Sequence, residues 1–112
     1  IDRFVDSTLA YQHYGLGVDI KVIKLINKFL LKNFKVDFTF LNIVNKKNMI
    51  TRLKSRKSLN RYDKFNSNFY QKVQKGFLKI ANTNKKKYQL IDSNLDIQDN
   101  KSLIISKIIK LV

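Results

Sequence analysis

An aspartate and an arginine, Asp2 and Arg3, stand side by side at the start of the chain, directly before a run that can form a helix. An arginine presents a rigid, always-charged fork of donors that fits a phosphate or a carboxylate. Within the run, Thr8, Tyr11 and Gln12 fall at i, i+3 and i+4, and in a helix that spacing gathers them on one face. That face carries a hydroxyl, a phenol and a carboxamide: one flat ring and three groups able to hydrogen-bond. The chemistry described is a cation for an anionic tail beside a polar face for a small polar ring. Asp6 or Ser7 can cap the helix that carries these groups, because their side-chain oxygens can accept from orphan amides of a first turn.

Composition narrows the classes. At 112 residues the chain is one domain or part of one. A formal charge of +15 raises the expectation of nucleic acid or an acidic surface. Against that, the lysines are scattered apart from Lys85-Lys86-Lys87, glutamate is absent, and asparagine and isoleucine are abundant. That pattern is a drift across the whole chain, and the charge reads as solvated surface. The chain has no cysteine, which excludes disulfides, thiolate chemistry and zinc–thiolate sites. One histidine excludes a multi-histidine metal site, and His13 reads as a packing or solvent-facing residue rather than a base. No apolar run reaches the ~18 residues of a membrane span, and no signal peptide is visible.

The elements that must position the candidate groups follow in order. A helix of about 5–14 ends near Gly15 and Gly17, which can adopt the positive φ of a turn. Asp19 caps a helix of about 19–32, with Val22, Leu25, Ile26, Phe29 and Leu30 as its core stripe. Residues 36–43 read as a central parallel strand, apolar on both faces around Phe38-Thr39-Phe40-Leu41. A helix of about 46–55 turns Met49, Ile50 and Leu53 inward. Residues 56–64 are polar, strongly positive and without apolar period. Phe65, Phe69, Val73, Phe77 and Ala81 then recur every four residues along a long helix to about 82. Tyr88 to Asp92 form a second strand, followed by a turn at Asp92-Ser93-Asn94. Asp99-Asn100 can cap a last helix of about 101–111 whose buried face is Ile104, Ile105, Ile108 and Ile109. Helices alternating with buried strands indicate an α/β fold with a parallel sheet.

Four stretches carry a family resemblance. Asp2-Arg3-Phe4, Ser7 and Ala10-Tyr11-Gln12 resemble the D-R-[YFH]-x-x-S-x-x-A-Y-Q signature of bacterial thymidylate kinases. Lys35-Val36-Asp37-Phe38-Thr39-Phe40-Leu41 resembles the family's K-P-D-L-T-[FI]-x-L strand. Arg52-Leu53, Arg56 and Arg61 resemble its lid, and Phe69 to Ala81 the helix after it. The four stand in the family's order and spacing over essentially all of the chain. Departures are Leu16 in place of the arginine of a G-R-G, Asn42 where aspartate is frequent, and Asn60-Arg61-Tyr62-Asp63 in place of D-R-[IFY]-E.

The resemblance implies a partial P-loop kinase fold, a parallel sheet flanked by helices with the first strands missing. Two of its five strands would be present, with the stub of a third at residues 1–2. The phosphate-cradling G-x-x-x-x-G-K-[ST] loop is absent from the sequence. In the family it lies upstream of the D-R pair, so residues 1–112 are expected to be the C-terminal portion of a single kinase domain, with a lid at about 56–64, inactive in isolation. The implied reaction moves the γ-phosphoryl group of ATP, with Mg2+, onto dTMP to give dTDP. The implied catalytic residues are Asp2, Arg3 and Arg61. Arg3 would hold the dTMP phosphate, and Asp2 would lie near Mg2+ through water or orient Arg3. Thr8 and Gln12 would meet the thymine edge or its surroundings, and Tyr11 would pack on the deoxyribose. Arg56 would lie against adenine, near the Asp92-Ser93-Asn94 loop, and Arg61 would reach the ATP phosphates from the lid. A cytoplasmic homodimer formed through helices is implied, with no nucleic-acid or membrane partner. Two other readings remain: a basic nucleic-acid-binding fragment, and a non-functional remnant of a truncated gene.

Overall fold

The computed structural model describes residues 1–55 and 67–112. The expected lid, with Arg56 and Arg61, and the first stripe residue Phe65 lie outside the described residues. Helix α1 (Val5–Thr8) continues as a π-helical turn, Leu9–Gly15. Helix α2 (Ile20–Leu30) closes with a 3-10 turn at Leu31–Asn33. Strand β1 (Thr39–Ile43) leads into α3 (Lys46–Lys54). Helix α4 (Ser67–Thr83), a 3-10 turn (Lys85–Lys87), strand β2 (Tyr88–Asp92) and helix α5 (Ile97–Leu111) complete the order.

The two strands pair in parallel, with Thr39 opposite Tyr88, Leu41 opposite Leu90 and Ile43 opposite Asp92. Parallel pairing requires a crossover between the strands, which here carries α3 and α4. The strand expected from residue 36 begins only at Thr39, because the ladder runs just as far as β2 offers partners. Residues 1–2, expected as a strand stub, are not in a strand. At the C-terminal end of β1 the Gln74 carboxamide acts as a further rung. Its Nε2 donates to the Val44 carbonyl at 2.9 Å, and the Val44 amide donates to its Oε1 at 2.9 Å.

The core forms where α4 packs on the π-helical turn. Ala10, Phe69, Val73 and Ile80 are its buried residues, ringed by the half-buried Leu9, Tyr11, Tyr14, Tyr70, Phe77 and Tyr88. The expected α4 stripe holds at Phe69, Val73 and Ala81, all buried. Two glycines let the backbones approach. A Cβ on Gly15 would lie 2.7 Å from Phe69 Cε2, and one on Gly76 would lie 2.6 Å from Tyr14 Cβ. Of the two glycines expected to end the first helix, only Gly17 takes a positive φ, at 78°; Gly15 serves packing instead.

Three expectations are corrected. The α2 stripe faces outward: Val22, Leu25, Ile26, Phe29 and Leu30 are all exposed, and Ile23 is the buried residue. On α5, Ile105, Ile108 and Ile109 are exposed, and no residue is fully buried. The periodicity identified amphipathic helices correctly, but a two-stranded sheet offers too little surface to cover every apolar face. Last, α5 starts earlier than Asp99-Asn100. Asp96 is its N-cap, accepting from the Gln98 amide at 3.0 Å, while Asn100 Nδ2 donates to the Asp92 carbonyl at 2.8 Å. The expected cap at Asp19 is present, accepting from the Lys21 amide at 2.9 Å, an interaction worth ~1 kcal/mol.

Candidate functional site

Residues 1–7 and strand β1 face each other across a cavity of about 700 Å3, with Tyr11, Phe77 and Tyr88 completing its walls. The residues that precede α1 lead Asp2 and Arg3 to its rim. Arg3 has φ 63°, the one non-glycine residue with positive φ among those described. A branched or long L side chain pays for that conformation, at roughly 1–3 kcal/mol, and it persists only where the surroundings over-determine it. The exposed Arg3 guanidinium lies over the Tyr11 ring, 5.3 Å from its centroid. The Tyr11 ring is held in turn against Phe69 at 6.1 Å and Phe77 at 6.2 Å, the latter edge-on. A cation thus rests on an aromatic platform that two core rings fix in place.

The helix that carries Tyr11 departs from α geometry at the site. The Leu16 amide donates to the Tyr11 carbonyl at 3.0 Å, five residues back. Such π-helical turns are rare and are frequent at functional sites. The longer turn also changes the phase of the side chains around the axis. Asp2, Arg3 and Tyr11 line the cavity, whereas Thr8 and Gln12 do not. His13 packs, as expected: its Nδ1 hydrogen-bonds the Val18 carbonyl at 2.7 Å, and its ring sits edge-on to Tyr14 at 4.8 Å.

Two polar contacts were not foreseen. Asp6, expected as a possible cap, has no capping role, since Phe4 is the N-cap and makes no side-chain capping bond. Asp6 instead accepts from the Tyr88 hydroxyl at 2.5 Å inside the cavity. Desolvation by burial, followed by the hydrogen bond and charge of Asp6, pushes the Tyr88 phenol far above its ordinary range, so it remains a donor at any physiological pH. The second contact lies at the C-terminal ends of the strands, where ligand crevices form in open α/β sheets. There Arg52 Nη2 donates to the Ser93 carbonyl at 2.5 Å, and Asn94 Oδ1 accepts from the Asn45 amide at 3.1 Å and Asn48 Nδ2 at 2.9 Å. These bonds tie the Asp92-Ser93-Asn94 turn to α3. The sequence signal for both was thin: a phenol at the start of a short strand, and asparagines at a helix start and a turn.

A family model described as thymidylate kinase matches residues 1–104. The chain belongs to the thymidylate kinase family. Among similar thymidylate kinases, that of Sulfurihydrogenibium sp. (strain YO3AOP1) is 33% identical over 107 residues, which are 96% of this chain and 52% of the relative. That of Wolbachia pipientis subsp. Culex pipiens (strain wPip) is 35% identical over 111 residues, 99% of this chain and 51% of the relative. That of Trichodesmium erythraeum (strain IMS101) is 38% identical over 94 residues, 84% of this chain and 41% of the relative. The chain therefore spans about half the length of the thymidylate kinases it matches. In structure it is similar to a deoxyadenosine kinase from M. mycoides with bound dCTP, with a TM-score of 0.72 at 22% identity over 97% of this chain and 62% of that one. That likeness shows the fold, an α/β fold of the P-loop kinase type.

Proposed function

We propose that this chain carries the acceptor side of a nucleoside monophosphate kinase that transfers the γ-phosphoryl group of ATP to dTMP. The observation that supports it most is Arg3, held in a left-handed backbone conformation over Tyr11 at the rim of the cavity, in a member of the thymidylate kinase family. Phosphoryl transfer asks little covalent work of a protein; position and charge neutralisation do most of it. In this reading Arg3 grips the dTMP phosphate with two parallel donors and offsets charge as the phosphoryl group arrives. Tyr11 is the wall against the deoxyribose, where a ribose 2′-hydroxyl would crowd the ring. Thr8 and Gln12, which do not line the cavity, would act on the surroundings of the thymine rather than on its edge. By the family resemblance Arg56 would meet adenine and Arg61 the ATP phosphates, and both lie outside the described residues. The tied Asp92-Ser93-Asn94 turn forms the floor near adenine.

Among the described residues there is no cluster of three or more metal-binding side chains. Magnesium sites on nucleotides use one or two carboxylates with phosphate oxygens and water, and Asp2 at the rim fits that place through water. The ion, bound with ATP, would neutralise charge on the phosphates. The same reading makes residues 1–112 the C-terminal part of the kinase domain, dependent on a phosphate-binding loop elsewhere and inactive in isolation. The exposed apolar stripe of α2 supports a homodimer formed through helices. No described helix is long and apolar enough to cross a membrane, and the proposed location is the cytoplasm, with no nucleic-acid partner. The test is product formation. The full-length protein with ATP and Mg2+ should convert dTMP to dTDP in preference to CMP, UMP and AMP. No turnover of dTMP, or equal turnover of all four, would overturn the reading.

A further inference from the structure

Asp6 and Tyr88 are 82 residues apart in sequence and meet inside the cavity beside Arg3. Their surroundings make the contact more than incidental. Thr39 stands opposite Tyr88 in the sheet and lines the same cavity. Helix α1 opens without a side-chain cap before it runs on into the π-helical turn, so its first turn relies on contacts from outside the helix. Two other hydrogen bonds are described at that start. The Ser7 amide donates to the Phe4 carbonyl at 3.0 Å, and Asn27 Nδ2 reaches the Val5 carbonyl at 3.4 Å. The bond from Tyr88 to Asp6 joins a phenol to a carboxylate, the charge-assisted kind that is about twice as strong as a neutral bond. It anchors the first turn to the sheet three residues after Arg3, whose positive φ needs such over-determination.

We propose that Asp6 and Tyr88 are a positioning pair that holds Arg3 over Tyr11 and so sets the affinity of the site for the phosphate of a nucleoside monophosphate. The proposal rests on the acceptor reading above. Neither residue need touch the substrate; both act through the placement of the guanidinium.

The experiment is calorimetry on the full-length protein with two probes, dTMP and thymidine, which differ by the phosphate alone. Tyr88→Phe, which removes one oxygen, should weaken dTMP about tenfold, the scale of one charge-assisted hydrogen bond, and leave thymidine within about twofold. Asp6→Ala should do the same. Asp6→Asn keeps an acceptor oxygen for the phenol but not the charge, so it should recover about half of the lost free energy and leave dTMP weakened about threefold. In an Arg3→Ala background, Tyr88→Phe should change nothing further. Equal loss for dTMP and thymidine would mean that the pair merely supports the fold, and a loss persisting without Arg3 would mean that it acts elsewhere; either overturns the proposal. A dTMP preference that Tyr88→Phe leaves intact removes the pair alone. Absence of any dTMP preference in the unaltered protein removes the acceptor reading, and the pair with it. Should Asp6→Ala fail to fold, Tyr88→Phe and Asp6→Asn decide the matter.

Discussion

Replacing Gly76 with alanine drives a methyl group into Tyr14. The new Cβ would lie 2.6 Å from both Cβ and Cγ of Tyr14 and 2.7 Å from Cδ2. Carbon atoms settle at about 3.5–4.0 Å, so a gap of roughly 1 Å must open. Rotating the Tyr14 ring cannot open it, because the nearest atom is the Cβ, fixed to the backbone. The π-helical turn must move off α4 as a unit. Overpacking of this kind costs about 1–3 kcal/mol, and alanine in place of glycine within a helix returns about 0.8–1 kcal/mol. The difference spans roughly 0–2 kcal/mol, and because a Cβ fixed to the backbone must be displaced by about 1 Å, the expectation is its upper half, a loss of about 1–2 kcal/mol. Tyr11 belongs to the turn that moves, so dTMP affinity should fall as well. Urea denaturation of the full-length protein measures the first effect as a lower midpoint at unchanged slope, and calorimetry measures the second. Gly17→Ala is the control: it meets no atom within 4 Å but imposes φ 78° on a side chain. It should cost about 1 kcal/mol and leave dTMP binding alone. A Gly76→Ala protein as stable as the parent would refute the reasoning, since the contact would then yield freely.

Three further outcomes are expected. Arg3→Gly removes the guanidinium but suits φ 63°, so activity should collapse while the urea midpoint holds or rises; a fall in stability matching that of Arg3→Ala would show that the backbone there is not strained. Tyr11→Ala should narrow the gap in kcat/KM between dTMP and its ribose counterpart, while Tyr11→Phe keeps it; an unchanged gap in the alanine variant would remove the ring as the wall. The raised phenol of Tyr88 holds its proton more tightly folded than unfolded. Its contribution to stability is therefore complete below the ordinary phenol value of about 10 and lost as pH rises above it. Urea midpoints at about pH 9 and pH 11 should drop further for the parent than for Tyr88→Phe, and equal drops would contradict the assignment.

Much of the architecture was legible because it rests on local rules. The β2 strand stands at Tyr88–Asp92, where the sequence placed a short strand before a turn, and the four-residue period of α4 marked the core-facing side. Asp19 was readable as a cap because its carboxylate accepts locally, from the Lys21 amide two residues on. Asp6 looked alike and behaves otherwise, because a phenol 82 residues away claims it; no local rule encodes that. The stripes on α2 and α5 show the limit of periodicity. It tells which face is apolar, not what covers it. At the site, the D-R pair and Tyr11 were visible from residue type and spacing. The π-helical turn that packs against α4 was not, since the local pattern reads as an ordinary helix.

The central claim is that Arg3 holds an acceptor phosphate. Its most direct measurement is kcat/KM for dTMP in the full-length protein with Arg3 replaced by alanine, beside a circular dichroism spectrum of each protein. Loss of a preorganised charge partner in phosphoryl transfer should lower kcat/KM by about 10²–10³-fold with the spectrum unchanged. A folded Arg3→Ala protein with near-normal kcat/KM for dTMP would contradict the account.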